Sequence, residues 1–103
     1  MISKHYRNQR NKREKIIEKY IHGDGYAIDY FIVDKGHSDG AEIHTITDNG
    51  IIIIHNYVTG KMVTKLIARP EQIKRYYKNS GRKPPEWLLK LAEYHESLGY
   101  NER

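Results

Sequence analysis

The sequence predicts an α+β fold: an N-terminal helix, a four-stranded antiparallel β-meander and two C-terminal helices. Three observations carry this. Between Glu42 and Arg69, three β-branched runs (AEIHTIT, IIIIHNYV and KMVTKLIAR) are separated by DNG and TG. Asn49-Gly50 and Thr59-Gly60, lying between such runs, are strong hairpin signals. Ahead of them stands an aromatic and β-branched segment, and behind them two segments open on prolines and continue at helical spacing.

In chain order, residues from about Asn8 to Ile21 read as a helix, with Ile16, Ile17, Tyr20 and Ile21 on one stripe and Arg13, Lys15 and Lys19 off it. HGDG (22–25) stops it, with Gly23 as the expected left-handed cap. The first strand is YAIDYFIVD, Tyr26 to Asp34, followed by the turn-forming loop KGHSDG (35–40). After the three strands already named, Pro70 opens the helix PEQIKRYYKN, with Glu71 in its first turn. Ser80-Gly81-Arg82-Lys83 breaks it. Pro85 opens PEWLLKLAEYHESL, expected to turn Trp87, Leu88, Leu91 and Leu98 inward and to stop at Gly99. No repeat, linker or low-complexity segment interrupts the chain, so residues 1–103 read as a single domain.

Composition bounds the function. The apolar fraction is 38% and the charged fraction 30%, so the core must be compact and must draw on nine tyrosines and a cluster of isoleucines. With no cysteine, disulfides and thiolate zinc sites are excluded, which suits a reducing cytoplasm. No apolar run approaches the ~18 residues of a membrane span and no signal-peptide pattern opens the chain, so no membrane association is expected. The net charge of +5 is unevenly spread. Residues 1–22 carry seven Lys/Arg against two acids, residues 23–60 one against six, and residues 61–90 nine against two. Two basic lobes around an acidic middle suit a protein that grips phosphate with particular surfaces. Because tyrosines interleave with basic residues in Arg75-Tyr76-Tyr77-Lys78, single-stranded RNA is the expected partner, its bases stacking on aromatic rings. Lys35, His37, Lys65, Lys74, Arg75, Tyr77 and Lys78 are the candidate RNA contacts.

The unusual feature is histidine in mid-strand. If both hairpins close with two-residue turns, His44 faces His55 and His55 faces Thr64. If both are type I turns with a glycine bulge, each pairing slips by one. His55 then shares a face with Thr45, Lys65 and Arg69, and His44 joins Thr64 on the other. Such a row suits metal-free RNA cleavage, in which the 2′-hydroxyl loses a proton, the 5′-oxygen gains one and the phosphate needs positive charge beside it. Histidine serves the first two tasks, its ordinary pKa lying near neutrality, and Arg69 or Lys65 the third. Against this stands the plain alternative that a mid-strand histidine is half-buried and satisfied by a neighbour. His5, His22 and His95 read as solvent or helix-face residues. His37, His44 and His55 lack a recognised zinc-ligand spacing, HGDG is not a phosphate-binding fingerprint, and no GxSxG is present. No cofactor or metal is expected.

The order of elements, with basic and hydroxyl residues near the last strand, resembles the barnase, EndoU, colicin-type and RelE-type ribonuclease group. TKLIARPEQIKRYY (64–77) looks like the closing segment of toxin-type and phage-associated members, where a Thr or Arg on the last strand precedes a proline. The likeness covers most of residues 11–77. It implies that His44 or His55 does the acid–base work, that Thr64 orients the phosphate and that Arg69 stabilises charge. The expectation is then a small cytoplasmic, metal-independent endoribonuclease, toxin-like or carried by a mobile element, that cuts RNA through a 2′,3′-cyclic phosphate. A protein inhibitor or a host ribonucleoprotein complex would be its further partner. The rival is a non-catalytic inhibitor of a host RNA-containing complex, of the phage anti-defence type, which the acidic middle favours because acids near a phosphate site repel substrate. A transcription factor fits less well, since neither helix pair shows a recognition-helix pattern.

Overall fold

A computed structural model describes residues 12–34, 36 and 40–100. Residues 8–11 of the expected first helix lie outside the described residues. Residues 12–16 are α-helical and pass into a π-helical turn over Ile17–Ile21, together forming α1. The strands are β1 (Ala27–Val33), β2 (Glu42–Thr47), β3 (Ile51–Asn56) and β4 (Met62–Ile67), followed by α2 (Pro70–Asn79) and α3 (Glu86–Ser97). The sheet is antiparallel throughout, in the order β1-β2-β3-β4, so the architecture is the α+β meander that the sequence predicts.

Element ends have local causes. The π-turn closes with the His22 N–H on the Ile17 carbonyl at 2.9 Å, and His22 itself takes the left-handed conformation, at φ 64°. This corrects the expected cap at Gly23: the wider turn finishes one residue earlier, and histidine tolerates positive φ better than most side chains. β1 is shorter than expected at both ends. Asp48 accepts the Tyr26 N–H at 2.7 Å and Asp34 accepts the Gly36 N–H at 2.9 Å, which draws each flanking residue into a turn. β3 stops at Asn56, whose Oδ1 accepts the N–H groups of Val58 (2.9 Å) and Thr59 (2.8 Å), so Tyr57 and Val58 belong to the loop and not to the strand.

The turns settle the register. Asp48, Asn49 and Gly50 form a three-residue loop, with the Gly50 N–H on the Thr47 carbonyl at 3.0 Å and Gly50 at φ 76°. The β2–β3 pairing is therefore the slipped one, His44 opposite Ile54 and Ile43 opposite His55. Between β3 and β4, Ile54 opposes Thr64, and an irregularity then carries His55 to Met62. One row across the sheet reads Phe31, His44, Ile54, Thr64; the neighbouring row, on the opposite face, reads Ile32, Ile43, His55, Met62.

Each face has its own core. On the first, α2 and α3 bury Ile73, Tyr77, Leu88 and Ala92 against Phe31, Ile46 and Ile52. On the second, Ile17 of α1 packs on Ile51 and Ile67. Each isoleucine buried completely contributes about 1.5–3 kcal/mol, so these two small clusters account for much of the hydrophobic stabilisation. α3 differs from expectation in phase. Leu88, Ala92 and His95 form its buried stripe, while Trp87 and Leu98 are 50% and 44% exposed. His95, expected at a solvent or helix face, is thereby turned inward against Gly50.

Candidate functional site

Residues two apart on a strand share a face, so Glu42 and His44 of β2 stand side by side. His44 Nε2 lies 3.0 Å from Glu42 Oε1, and its Nδ1 is hydrogen-bonded to the Tyr76 hydroxyl of α2. A carboxylate only accepts, which places the imidazole proton on Nε2 and leaves Nδ1 to accept from the Tyr76 O–H. Tyr76 is held in turn by stacking on Phe31, centroids 5.3 Å apart, and meets the imidazole edge-on. Burial, together with the Glu42 charge and against the Arg75 charge, pushes the Tyr76 phenol up to about 12, so it keeps its proton at neutral pH.

A second polar cluster lies beside the first. Asp29 of β1 accepts from the Tyr77 hydroxyl at 2.8 Å and takes the Arg82 guanidinium in a two-pronged contact, both distances 3.0 Å. Burial pushes the Asp29 carboxyl up, but the hydrogen bonds from Arg82, Tyr77 and the Tyr30 N–H outweigh it and hold it below the usual carboxylate range. Arg82 is fixed further by the rings of Phe31 (5.4 Å) and Tyr77 (5.2 Å). Between the outer side of β1 and the end of α2 runs a cleft of about 520 Å³, whose walls include Phe31, Val33, Tyr76, Asn79, Ser80 and Arg82. Tyr76 belongs both to this wall and to the Glu42–His44 pair.

The predicted site residues are not gathered in one place. His44 and Thr64 share a face but have Ile54 between them, about 10 Å apart at ordinary strand spacing. Thr64 Oγ1 instead accepts from Arg13 at 3.4 Å. His55 is half-buried on the opposite face. Arg69 stands beyond β4 as the N-cap of α2, its N–H on Gln72 Oε1 at 2.8 Å, toward the other end of the sheet from His55. Lys65 is taken by Asp24 at 3.0 Å. Lys74, Arg75 and Lys78 are exposed along α2, as expected, but Tyr77 is 3% exposed and presents no ring face for a base to stack on. Lys35 and His37 lie outside the described residues.

The sequence reading missed Glu42, Tyr76, Asp29 and Arg82. Only Glu42 had a local signal, its two-residue spacing from His44. Among the described residues no group of three or more His, Cys, Asp or Glu is disposed to hold a metal ion, and no helix is long and apolar enough to cross a membrane. Comparison with protein-family models, curated proteins and solved structures returned no match to this chain.

Proposed function

We propose that the protein is a small metal-independent endoribonuclease acting in the cytoplasm, toxin-like or carried by a mobile element, which cuts RNA through a 2′,3′-cyclic phosphate. The observation that carries this reading is the chain Glu42–His44–Tyr76, ending at a cleft beside an exposed basic helix. In the proposed step the 2′-hydroxyl gives its proton to Tyr76 as Tyr76 passes its own to His44 Nδ1. Glu42 stabilises the imidazolium that forms, as a buried carboxylate does for the histidine of a hydrolytic triad. The freed 2′-oxygen attacks phosphorus, closing the cyclic phosphate and releasing the 5′-oxygen. The imidazolium then discharges through Tyr76 to that oxygen, which closes the proton balance. Arg75, next to Tyr76 and exposed, supplies positive charge for the phosphate.

A second reading has its own observation. His44 is 5% exposed with both ring nitrogens occupied, an arrangement that also serves purely to satisfy a buried histidine. On that reading the basic stripe of α2 makes the protein a non-catalytic inhibitor of a host RNA-containing complex. Incubation with total RNA in EDTA, followed by end-group analysis, separates the two. Cleavage with 2′,3′-cyclic phosphate ends supports the enzyme. Intact RNA that is nonetheless bound supports the inhibitor, and activity lost on chelation but restored by zinc or magnesium would require metal-assisted hydrolysis.

A further inference from the structure

We propose that Arg82, held by Asp29, is a positioning residue for the proton chain: it fixes Phe31, and through Phe31 the Tyr76 hydroxyl that meets His44. Its kinetic consequence rests on the ribonuclease reading; the contacts that carry it do not. Ser80-Gly81-Arg82 ends α2 in a Schellman turn. The Gly81 N–H reaches the Lys78 carbonyl at 3.1 Å, and the Arg82 N–H reaches the Tyr77 carbonyl at 2.9 Å. Gly81 stands at φ 72°, a conformation that a side chain would strain. The turn folds Arg82 back toward the last turn of α2, where its Nε donates to Ser80 Oγ at 3.3 Å. On β1, Asp29 and Phe31 are two residues apart and share one face, with Phe31 directly opposite His44.

From Asp29 to His44 each link is a direct contact. Both Asp29 oxygens take the guanidinium, at 3.0 Å each, and the plane so held lies over the rings of Phe31 (5.4 Å) and Tyr77 (5.2 Å). Phe31 stacks on Tyr76 with centroids 5.3 Å apart and planes 17° from parallel, and the Tyr76 hydroxyl is hydrogen-bonded to His44 Nδ1. Tyr76 is half-buried and borders the cleft, so its support from Phe31 counts. A phenol hydroxyl sits at the far end of its ring, where a small tilt becomes a large displacement. A misplacement of about 1 Å can lower a rate by about 10²-fold. As a source of stability the pair counts for less: the Arg82 side chain is 50% exposed, and an ion pair in contact with water contributes little to folding. What the two-pronged grip supplies is a fixed plane.

The test uses the full chain and a defined single-stranded RNA, with circular dichroism to confirm that each variant is folded. Arg82→Lys keeps the charge beside Asp29 but loses the plane and the two-pronged grip. It should lower kcat about tenfold and leave KM nearly unchanged, the pattern of an interaction needed only in the reacting geometry. Asp29→Asn releases the guanidinium from its other end and should act in the same direction. Tyr77→Phe removes a different partner of Asp29 and leaves the plane in place, so kcat should stay near the unaltered value. A raised KM at unchanged kcat in Arg82→Lys would make Arg82 an RNA contact and overturns the proposal. An equal loss in Tyr77→Phe would mean that the cluster acts through stability alone, and overturns it too. Nitrogen-15 shifts of the His44 imidazole decide it without any substrate. The Nδ1 resonance, displaced by the hydrogen bond it accepts, should move toward that of a free imidazole nitrogen in Arg82→Lys and Asp29→Asn but not in Tyr77→Phe. An Nδ1 shift that stays unchanged in folded Arg82→Lys overturns the proposal. If the unaltered protein cleaves no RNA, the ribonuclease reading fails, while the nitrogen shifts still decide whether Arg82 positions Tyr76.

Discussion

His44 and His95 are equally buried, each 5% exposed, yet the two regions around them are built on different principles. Around His44 every polar atom has a use: Glu42 takes one nitrogen, the Tyr76 hydroxyl meets the other, and Phe31 supports Tyr76 from behind. Around His95 the neighbours are Gly50, Leu91 and the rings of Tyr94 and Tyr100, and among the described residues its Nδ1 has no hydrogen-bond partner. Burial pushes the His95 imidazole below its ordinary pKa with nothing to oppose it. Burial alone therefore does not mark a proton-transfer group. What distinguishes His44 is a carboxylate on one side and a hydroxyl leading to a cleft on the other.

The sharpest way to break this contrast is to remove each ring. His44→Ala should lower RNA cleavage by roughly 10²–10⁴-fold, the usual span for a lost general acid or base. Glu42→Gln, gentler on packing, should act in the same direction. His95→Leu, and His55→Ala on the opposite face, should leave cleavage near the unaltered rate. Fragment analysis of a defined RNA, with circular dichroism to confirm folding, reads all four. Equal losses at His44 and His95 would mean that both act only through stability.

The next effect lies in binding. Lys74, Arg75 and Lys78 are exposed on α2, on the side of the helix away from the buried Ile73 and Tyr77. Replacing all three by Gln should flatten the salt dependence of single-stranded RNA binding by about two units, since each neutralised phosphate of a single strand contributes about 0.7. Thermal stability should barely change, because such exposed charges matter little to folding. An unchanged slope would place the RNA elsewhere.

Tyr76→Phe tests the comparison from the other direction, because it leaves His44 Nδ1 without its hydroxyl and so gives His44 the condition of His95. A buried nitrogen deprived of its partner costs about 1–3 kcal/mol, which chemical denaturation should register. Tyr77→Phe should cost less, about 0.5–1.5 kcal/mol, because Asp29 keeps both contacts from Arg82. If the two losses are equal, the Tyr76–His44 contact has no special weight.

What the sequence disclosed follows the same division between local and distant information. α2 occupies the predicted residues because proline at its first position and the helical stripe of Ile73 and Tyr77 are local signals. The strands were legible for the same reason, and Gly50 at positive φ is the turn chemistry that made the slipped register one of two open alternatives. The phase of α3 was not legible, since Trp87 and Leu98 are as apolar as Leu88, yet the buried stripe runs through Leu88, Ala92 and His95. Nor was most of the site. Tyr76 meets His44 across 32 residues, and Arg82 meets Asp29 across 53. No periodicity or motif encodes such a meeting; it exists only once the sheet has fixed Phe31 beside His44 and α2 has laid Tyr76 and Tyr77 over them.

The smallest expected effect concerns His95 and acid. Its folded-state pKa lies below the ordinary 6.5, because charging the ring would place an unpartnered cation among apolar neighbours. In the unfolded chain the same ring takes up its proton near the ordinary value. Below about pH 6.5 the unfolded state therefore binds more protons, and stability falls as the pH falls, until the folded-state ring is protonated as well. Above that window the contribution is fully present and flat. The slope from one such group cannot exceed about 1.4 kcal/mol per pH unit. His95→Leu should abolish this part of the acid dependence, so the difference in unfolding free energy between the two proteins, measured by denaturant titration from neutral pH downward, should widen in favour of the variant. A difference constant with pH would show that His95 is protonated as readily in the folded protein as in the unfolded chain, and the contrast with His44 would then rest on hydrogen bonding alone.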